Sequence, residues 1–104
     1  MGSTKREQYQ PSQLRCAQLS DAMGHPARIA ILEHLNSHFR ANSRELIRVT
    51  RLSKSTVSQH LKELLDSKLF LEGFDDFSNI HYYCLNPNAG AMMEEVVDRV
   101  FGRC

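Results

Sequence analysis

The sequence predicts a mainly α-helical fold with one small β-hairpin, in the order ααααββα: a winged helix-turn-helix. Three observations predict it. Within residues 43–71, two short helical segments are separated by a tight turn at Arg51-Leu52. The second segment carries hydroxyls, an amide and a cation on one side and aliphatics on the other. Two strand-like segments then flank a polar tip, which completes a hairpin.

The elements follow in order. Residues 1–10 are polar and read as a flexible tail, leaving 11–104 as a single winged helix-turn-helix domain. Pro11 and Ser12 can open a first helix that runs to about residue 23 and ends at Gly24. Cys16, Leu19 and Met23 form its modest apolar stripe. His25-Pro26 starts a second helix, buried along Ile29, Leu32 and Leu35 with Ile31 alongside, and reaching about Phe39. Ser43 is the candidate cap of a short third helix with Leu46, Ile47 and Val49 inward. Ser53 caps a fourth helix from Lys54 to about Ser67. Residues 69–73 and 80–85 read as strands around a tip at 75–79. Asn86-Pro87-Asn88 ends the second strand and starts a last helix with the stripe Met93, Val96, Val97, Val100 and Phe101.

With 104 residues, 41% hydrophobic and 24% charged, the chain has the composition of one ordinary globular domain. No apolar run approaches the roughly 20 residues that span a bilayer, so no membrane partner is expected. The N-terminus lacks the apolar stretch of a signal peptide, which makes the cytoplasm the expected location. Three cysteines, an odd number, do not form a disulfide framework. A net charge of +1 hides an asymmetry. Residues 40–62 hold six bases (Arg40, Arg44, Arg48, Arg51, Lys54, Lys62) against one acid, Glu45. Residues 63–98 hold eight acids against Lys68 alone. The basic excess falls on the helix-turn-helix, where phosphate contacts would need it.

On the fourth helix, Val57, Leu61, Leu64 and Leu65 share one face at 100° per residue, and Ser55, Ser58, Gln59 and Lys62 share the other. Hydroxyls can reach phosphates or base edges, Gln can pair with adenine in bidentate fashion, and Lys62 suits a phosphate. Thr56 and His60 flank this face as candidate backbone contacts. Lys54, and Ser43 and Arg44 from the preceding helix, complete the candidate set. The partner this set fits is double-stranded DNA.

Residues 23–32, MGHPARIAIL, and 52–61, LSKSTVSQHL, resemble the ArsR/SmtB family of winged-helix repressors. Glu72-Gly73 and residues 82–85, YYCL, look like that family's wing, and the resemblance covers roughly residues 14–101. It implies a homodimer paired through the first and last helices. The seam would draw on Leu14, Leu19, Met23, Met93, Val96, Val97, Val100 and Phe101. It further implies an inverted-repeat operator, repression by occupancy, and release by an effector that the sequence does not identify.

The chain departs from the family pattern in places. Arg51 stands in a turn that often carries glycine, at a strain on the order of 1 kcal/mol if φ is positive there. The tip, Asp75-Asp76-Phe77-Ser78-Asn79, is acidic where the family offers a cation, which leaves Asn79 and His81 as the wing's candidate DNA contacts. Asn42 and Arg44 occupy the positions of the family's third-helix cysteines, and the last helix has Glu94, Glu95 and Asp98 without histidine. Neither is a good soft-metal set, so no metal or other cofactor is expected. His34 and His38, at i and i+4, could chelate only if both faced one way. Cys16 and Cys104 would be neighbours in the family's dimer, which makes them candidates for thiol sensing of reactive sulfur or arsenite; Cys84 in a strand suits a structural role.

A non-enzymatic role is expected, since no Gly-rich phosphate loop, nucleophile elbow or framed carboxylate pair is present. The alternative to a DNA-binding regulator is a winged-helix interaction module with weak or no DNA binding, which the acidic tip motivates.

Overall fold

A computed structural model describes residues 8–102. In chain order the elements are α1 Pro11–Ala22, α2 Pro26–Ser37, α3 Ser43–Thr50, α4 Lys54–Ser67, β1 Phe70–Asp75, β2 Ile80–Leu85 and α5 Ala89–Phe101. This is the order expected from sequence. Residues 1–7 of the expected tail, and Cys104 with its proposed pairing to Cys16, lie outside the described residues.

Local chemistry sets the helix ends. Pro11 and Pro26 occupy first-turn positions where a missing N–H costs nothing. The Gln13 side chain accepts the Gln10 N–H at 2.8 Å, and His25 Nδ1 accepts the Ala27 N–H at 3.0 Å. Asn42, not Ser43, caps α3: its Oδ1 accepts the Glu45 N–H at 2.9 Å, and Ser43 becomes the first helical residue. Both residue types cap well, and the extended backbone of Asn42 (φ −90°, ψ 171°) is the one a cap requires. Ser53 caps α4 as expected, accepting the Thr56 N–H at 3.2 Å.

Between α3 and α4, Arg51 adopts the left-handed region (φ 60°, ψ 29°) and returns its N–H to Ile47 O at 2.8 Å. That conformation ends α3 and turns the chain into α4, at a cost of roughly 1–2 kcal/mol for a residue with a Cβ.

The core is shared by every element. Leu19 and Ala22 of α1, Ile31 and Leu35 of α2, Leu46 of α3, and Val57, Leu61 and Leu64 of α4 close around Leu69, Phe70, Tyr83 and Val96. Phe70 stacks on Tyr83 with ring centroids 5.4 Å apart. The far end of α4 is held by α1: Arg15 donates to Ser67 O at 3.0 Å and Gln18 to Asp66 O at 3.4 Å, which satisfies carbonyls the helix leaves unpaired.

The hairpin pairs antiparallel from Phe70↔Leu85 to Asp75↔Ile80. β1 therefore extends two residues beyond the expected 73, because Phe74 and Asp75 continue the ladder. Ala41 bridges to Tyr83 through two backbone bonds of 3.0 and 2.8 Å, which fastens the hairpin to the α2–α3 link. The Tyr82 ring lies over Gly73 so closely that a Cβ there would meet its Cζ at 2.5 Å.

Two seam assignments are corrected. Leu19 and Val96 are buried within the chain's own core, because α1 and α5 pack on the body along these residues. Met23 and Met93 are half-buried against the same core, and Leu14 is half-buried on α1. The outward residues of the stripe are Val97, Val100 and Phe101, exposed by 50, 57 and 81%.

Candidate nucleic-acid interface

α4 presents the two faces its sequence predicts. Val57, Leu61 and Leu64 are buried, and Lys54, Ser55, Ser58, Gln59 and Lys62 are exposed. Ser53 Oγ donates to Thr56 Oγ1 at 2.9 Å, so the hydroxyls at the start of α4 form a connected group. Ser43 and Arg44 are exposed at the start of α3. Ser43, Ser58 and Lys62 come together along one cleft of about 330 Å³ between α3, α4 and the hairpin, where Asp66 and Glu72 also line the wall.

His60 does not belong to this face. It is 6% exposed, and its Nδ1 accepts the Arg28 Nε–H at 3.0 Å. Three residues from Val57 and four from Leu64, it falls on the buried side of the helix; the periodicity that placed its neighbours places it too. Burial is the main reason its imidazole titrates below the ordinary histidine range, with His25 and Arg28 adding to the effect.

The wing differs from its sequence reading. Asp75 is no free acid: Arg40 Nη2 lies 2.8 Å from its Oδ2, and its Oδ1 accepts the N–H groups of Phe77 (2.9 Å) and Ser78 (3.3 Å). The Arg40 bond, then these backbone bonds, hold the Asp75 carboxyl below its ordinary range, and Asp75 in turn raises Arg40. Arg40 also sits over the Tyr82 ring at 4.4 Å. Asp76 is exposed, and Phe77 stands fully in solvent at the tip. Asn79 is exposed in a left-handed conformation (φ 60°), whereas His81 is tied to Glu72 at 2.8 Å. Burial raises the Tyr83 phenol, with Glu72 contributing.

His34 Nε2 bonds the Glu45 carboxylate across α2 and α3, and His38 stacks on His34 at 4.0 Å. Among the described residues, no group of three His, Cys, Asp or Glu side chains is arranged to hold a metal ion. Cys16 is half-buried beside Arg99 and Val100, and Cys84 is half-buried in β2.

Sequence reasoning missed Arg28 and Arg40, which tie the helices and the wing together. A signal existed for Arg28: a cation in the first turn of a helix opposes the macrodipole unless its head group is used elsewhere.

Comparison with known proteins places this geometry. A family described as a helix-turn-helix domain matches residues 23–72, which hold α2, α3, α4 and the start of β1. Over 90 residues the chain is 36% identical to the HTH-type transcriptional regulator YgaV of Escherichia coli, covering 86% of this chain and 90% of that one. The chain belongs to a family of helix-turn-helix transcriptional regulators. The solved structure of the transcriptional repressor PagR of Bacillus anthracis is 28% identical, with a TM-score of 0.65 over 82% of this chain and 95% of that one. A solved ArsR family transcriptional regulator gives a TM-score of 0.70 over 88% and 89% of the two chains, and at 19% identity it supports the fold alone. The chain is thus a DNA-binding transcriptional regulator. No helix among the described residues is long and apolar enough to cross a membrane.

Proposed function

We propose that this regulator is a homodimeric repressor that occupies an inverted-repeat operator, with one α4 in each of two successive major grooves. The single observation that carries this reading is the division of α4. Ser55, Ser58, Gln59 and Lys62 are exposed on a helix whose opposite face is locked into the core by Val57, Leu61 and Leu64. Lys54, Arg44 and Ser43 extend the polar and basic surface toward the phosphates, with Lys62 a phosphate contact rather than a base reader. On the wing, Asn79 and His81 are both exposed, and Asn79 is the stronger candidate because His81 shares its ring nitrogen with Glu72.

Dimerisation is supported by Val97, Val100 and Phe101, which stand in solvent on one helix beside α1. Pairing two copies along this helix would bury them and relate the two α4 helices by a two-fold axis. An effector then releases the operator. We assign no resident metal, because the Asn42 side chain is committed to capping α3 and Glu45 to His34. Catalysis forms no part of this reading.

The test is a titration of the purified protein with duplexes from its own upstream promoter region over a range of salt. Specific binding whose logarithm falls steeply and linearly with the logarithm of salt supports the proposal. Salt-insensitive binding, or none to any duplex, would favour a winged-helix interaction module instead.

A further inference from the structure

On the side of α4 turned away from the proposed DNA surface, one guanidinium joins three helices. Arg28, in the first turn of α2, donates its Nε–H to His60 Nδ1 at 3.0 Å. Its Nη1 donates to Asp21 O at 3.1 Å and Ala22 O at 3.5 Å, the closing carbonyls of α1. His25, the cap of α2, places its ring 4.4 Å from the ring of His60. We infer that Arg28 and His60 are positioning residues for DNA reading: their bridge sets the angle at which α4 is held on the α1–α2 body, and it holds only while His60 is neutral. The inference rests on α4 being the DNA-reading helix.

The chemistry follows from the direction of one hydrogen bond. A ring nitrogen that accepts from a guanidinium carries no proton, so the proton of neutral His60 sits on Nε2. That Nε2 is buried without a hydrogen-bond partner. A second proton, on Nδ1, would oppose one N–H with another and place a positive charge beside Arg28. The charged and titratable groups that face His60 are His25 and Arg28 of α2 and Glu63 of its own helix; α1 offers backbone carbonyls through Arg28. His25 and Arg28 oppose the imidazolium, Glu63 favours it, and burial outweighs them all. The bridge is therefore intact above the ordinary histidine value of about 6.5 and is lost as pH falls through the lower folded value. Acidification should thus weaken specific DNA binding. Protonation of exposed histidines would instead strengthen non-specific binding through added positive charge, so the two effects have opposite sign.

The experiment has two arms. In the first, the free protein is titrated from pH 8 to 5 by nuclear magnetic resonance of the histidine rings. The expected result is that His60 holds its proton on Nε2, titrates below the ordinary histidine range, and moves the α4 amide signals as it does so. In the second, a duplex selected by the wild type from a random pool is titrated against wild type, His60→Asn and Arg28→Ala, beside a scrambled duplex. Asn keeps an acceptor near Nδ1 but cannot titrate, so His60→Asn should flatten the fall in specific affinity on acidification. Arg28→Ala should lose about tenfold or more of the specific-to-scrambled ratio with its helical circular dichroism retained. Identical pH profiles for wild type and His60→Asn would overturn the inference, as would a His60 ring that titrates in the ordinary range without moving α4. If Arg28→Ala fails to fold, His60→Asn decides. If the wild type selects no duplex, the DNA-reading proposal fails, and the ring titration alone decides whether the bridge holds α4.

Discussion

Arg40 Nη2 lies 2.8 Å from Asp75 Oδ2, so the link between α2 and α3 neutralises the acid at the base of the wing. The same guanidinium rests on Tyr82, whose ring covers Gly73. An acidic hairpin tip is thereby tied to the basic half of the molecule. Removing the cation with Arg40→Ala should speed amide exchange at residues 75–80 and weaken DNA binding, since the freed carboxylate then faces phosphates. Hydrogen exchange and a duplex titration check this. The ion pair is exposed, so its effect on global stability should be small. The sign with pH is fixed: Asp75 titrates below its ordinary 3.8 when folded, so its contribution is present above that value and fades as pH falls through the folded one.

Lys62 and Gln59 should separate by the kind of loss they cause. Lys62→Glu should lower affinity for all duplexes alike. Lys62→Ala should reduce the slope of log K against log salt by about 1. Gln59→Ala should leave that slope unchanged and relax preference at one base pair of each half-site by about 1–3 kcal/mol. Anisotropy titrations on matched and single-mismatch duplexes distinguish the two. Equal effects on every sequence would remove Gln59 from the base-reading set.

Carboxylates on the outward face of α5 test the dimer. Val97 and Val100 are half-exposed in the single chain, so Val97→Asp with Val100→Asp should cost little monomer stability. The variant should sediment as a folded monomer and bind the selected duplex far more weakly than the wild type. A dimer of unchanged stability would place the seam elsewhere.

At Arg51 the left-handed backbone favours a residue without a Cβ. Glycine removes a strain of about 1–2 kcal/mol and adds roughly 0.5–1 kcal/mol of backbone entropy cost. Arg51→Gly should therefore stabilise the fold by about 0.5–1 kcal/mol in urea denaturation. Destabilisation would mean that the arginine side chain contributes contacts that outweigh the strain.

The fold was largely legible because local signals agreed with one another. Ser53 followed by the spacing of Val57, Leu61 and Leu64 marked α4 from cap to core, and the structure places α4 at Lys54–Ser67 as read. Tertiary contacts were not legible in the same way. By residue type His60 suits the polar flank, but its spacing from Val57 and Leu64 puts it inside. In sequence Asp75 reads as a repelling charge, because no local pattern reveals an ion pair 35 residues away. Leu19 and Val96 belong to apolar stripes that periodicity alone cannot divide between core and seam; burial makes that division.

Selection of duplexes from a random pool by wild type and by Gln59→Ala tests the central claim most directly. If the exposed face of α4 reads the major groove, the wild type should enrich two inverted half-sites centred about one helical turn apart. Gln59→Ala should then keep that spacing while losing discrimination at one position in each half. Enrichment of no motif, or of a motif that Gln59→Ala leaves untouched at every position, would contradict the account.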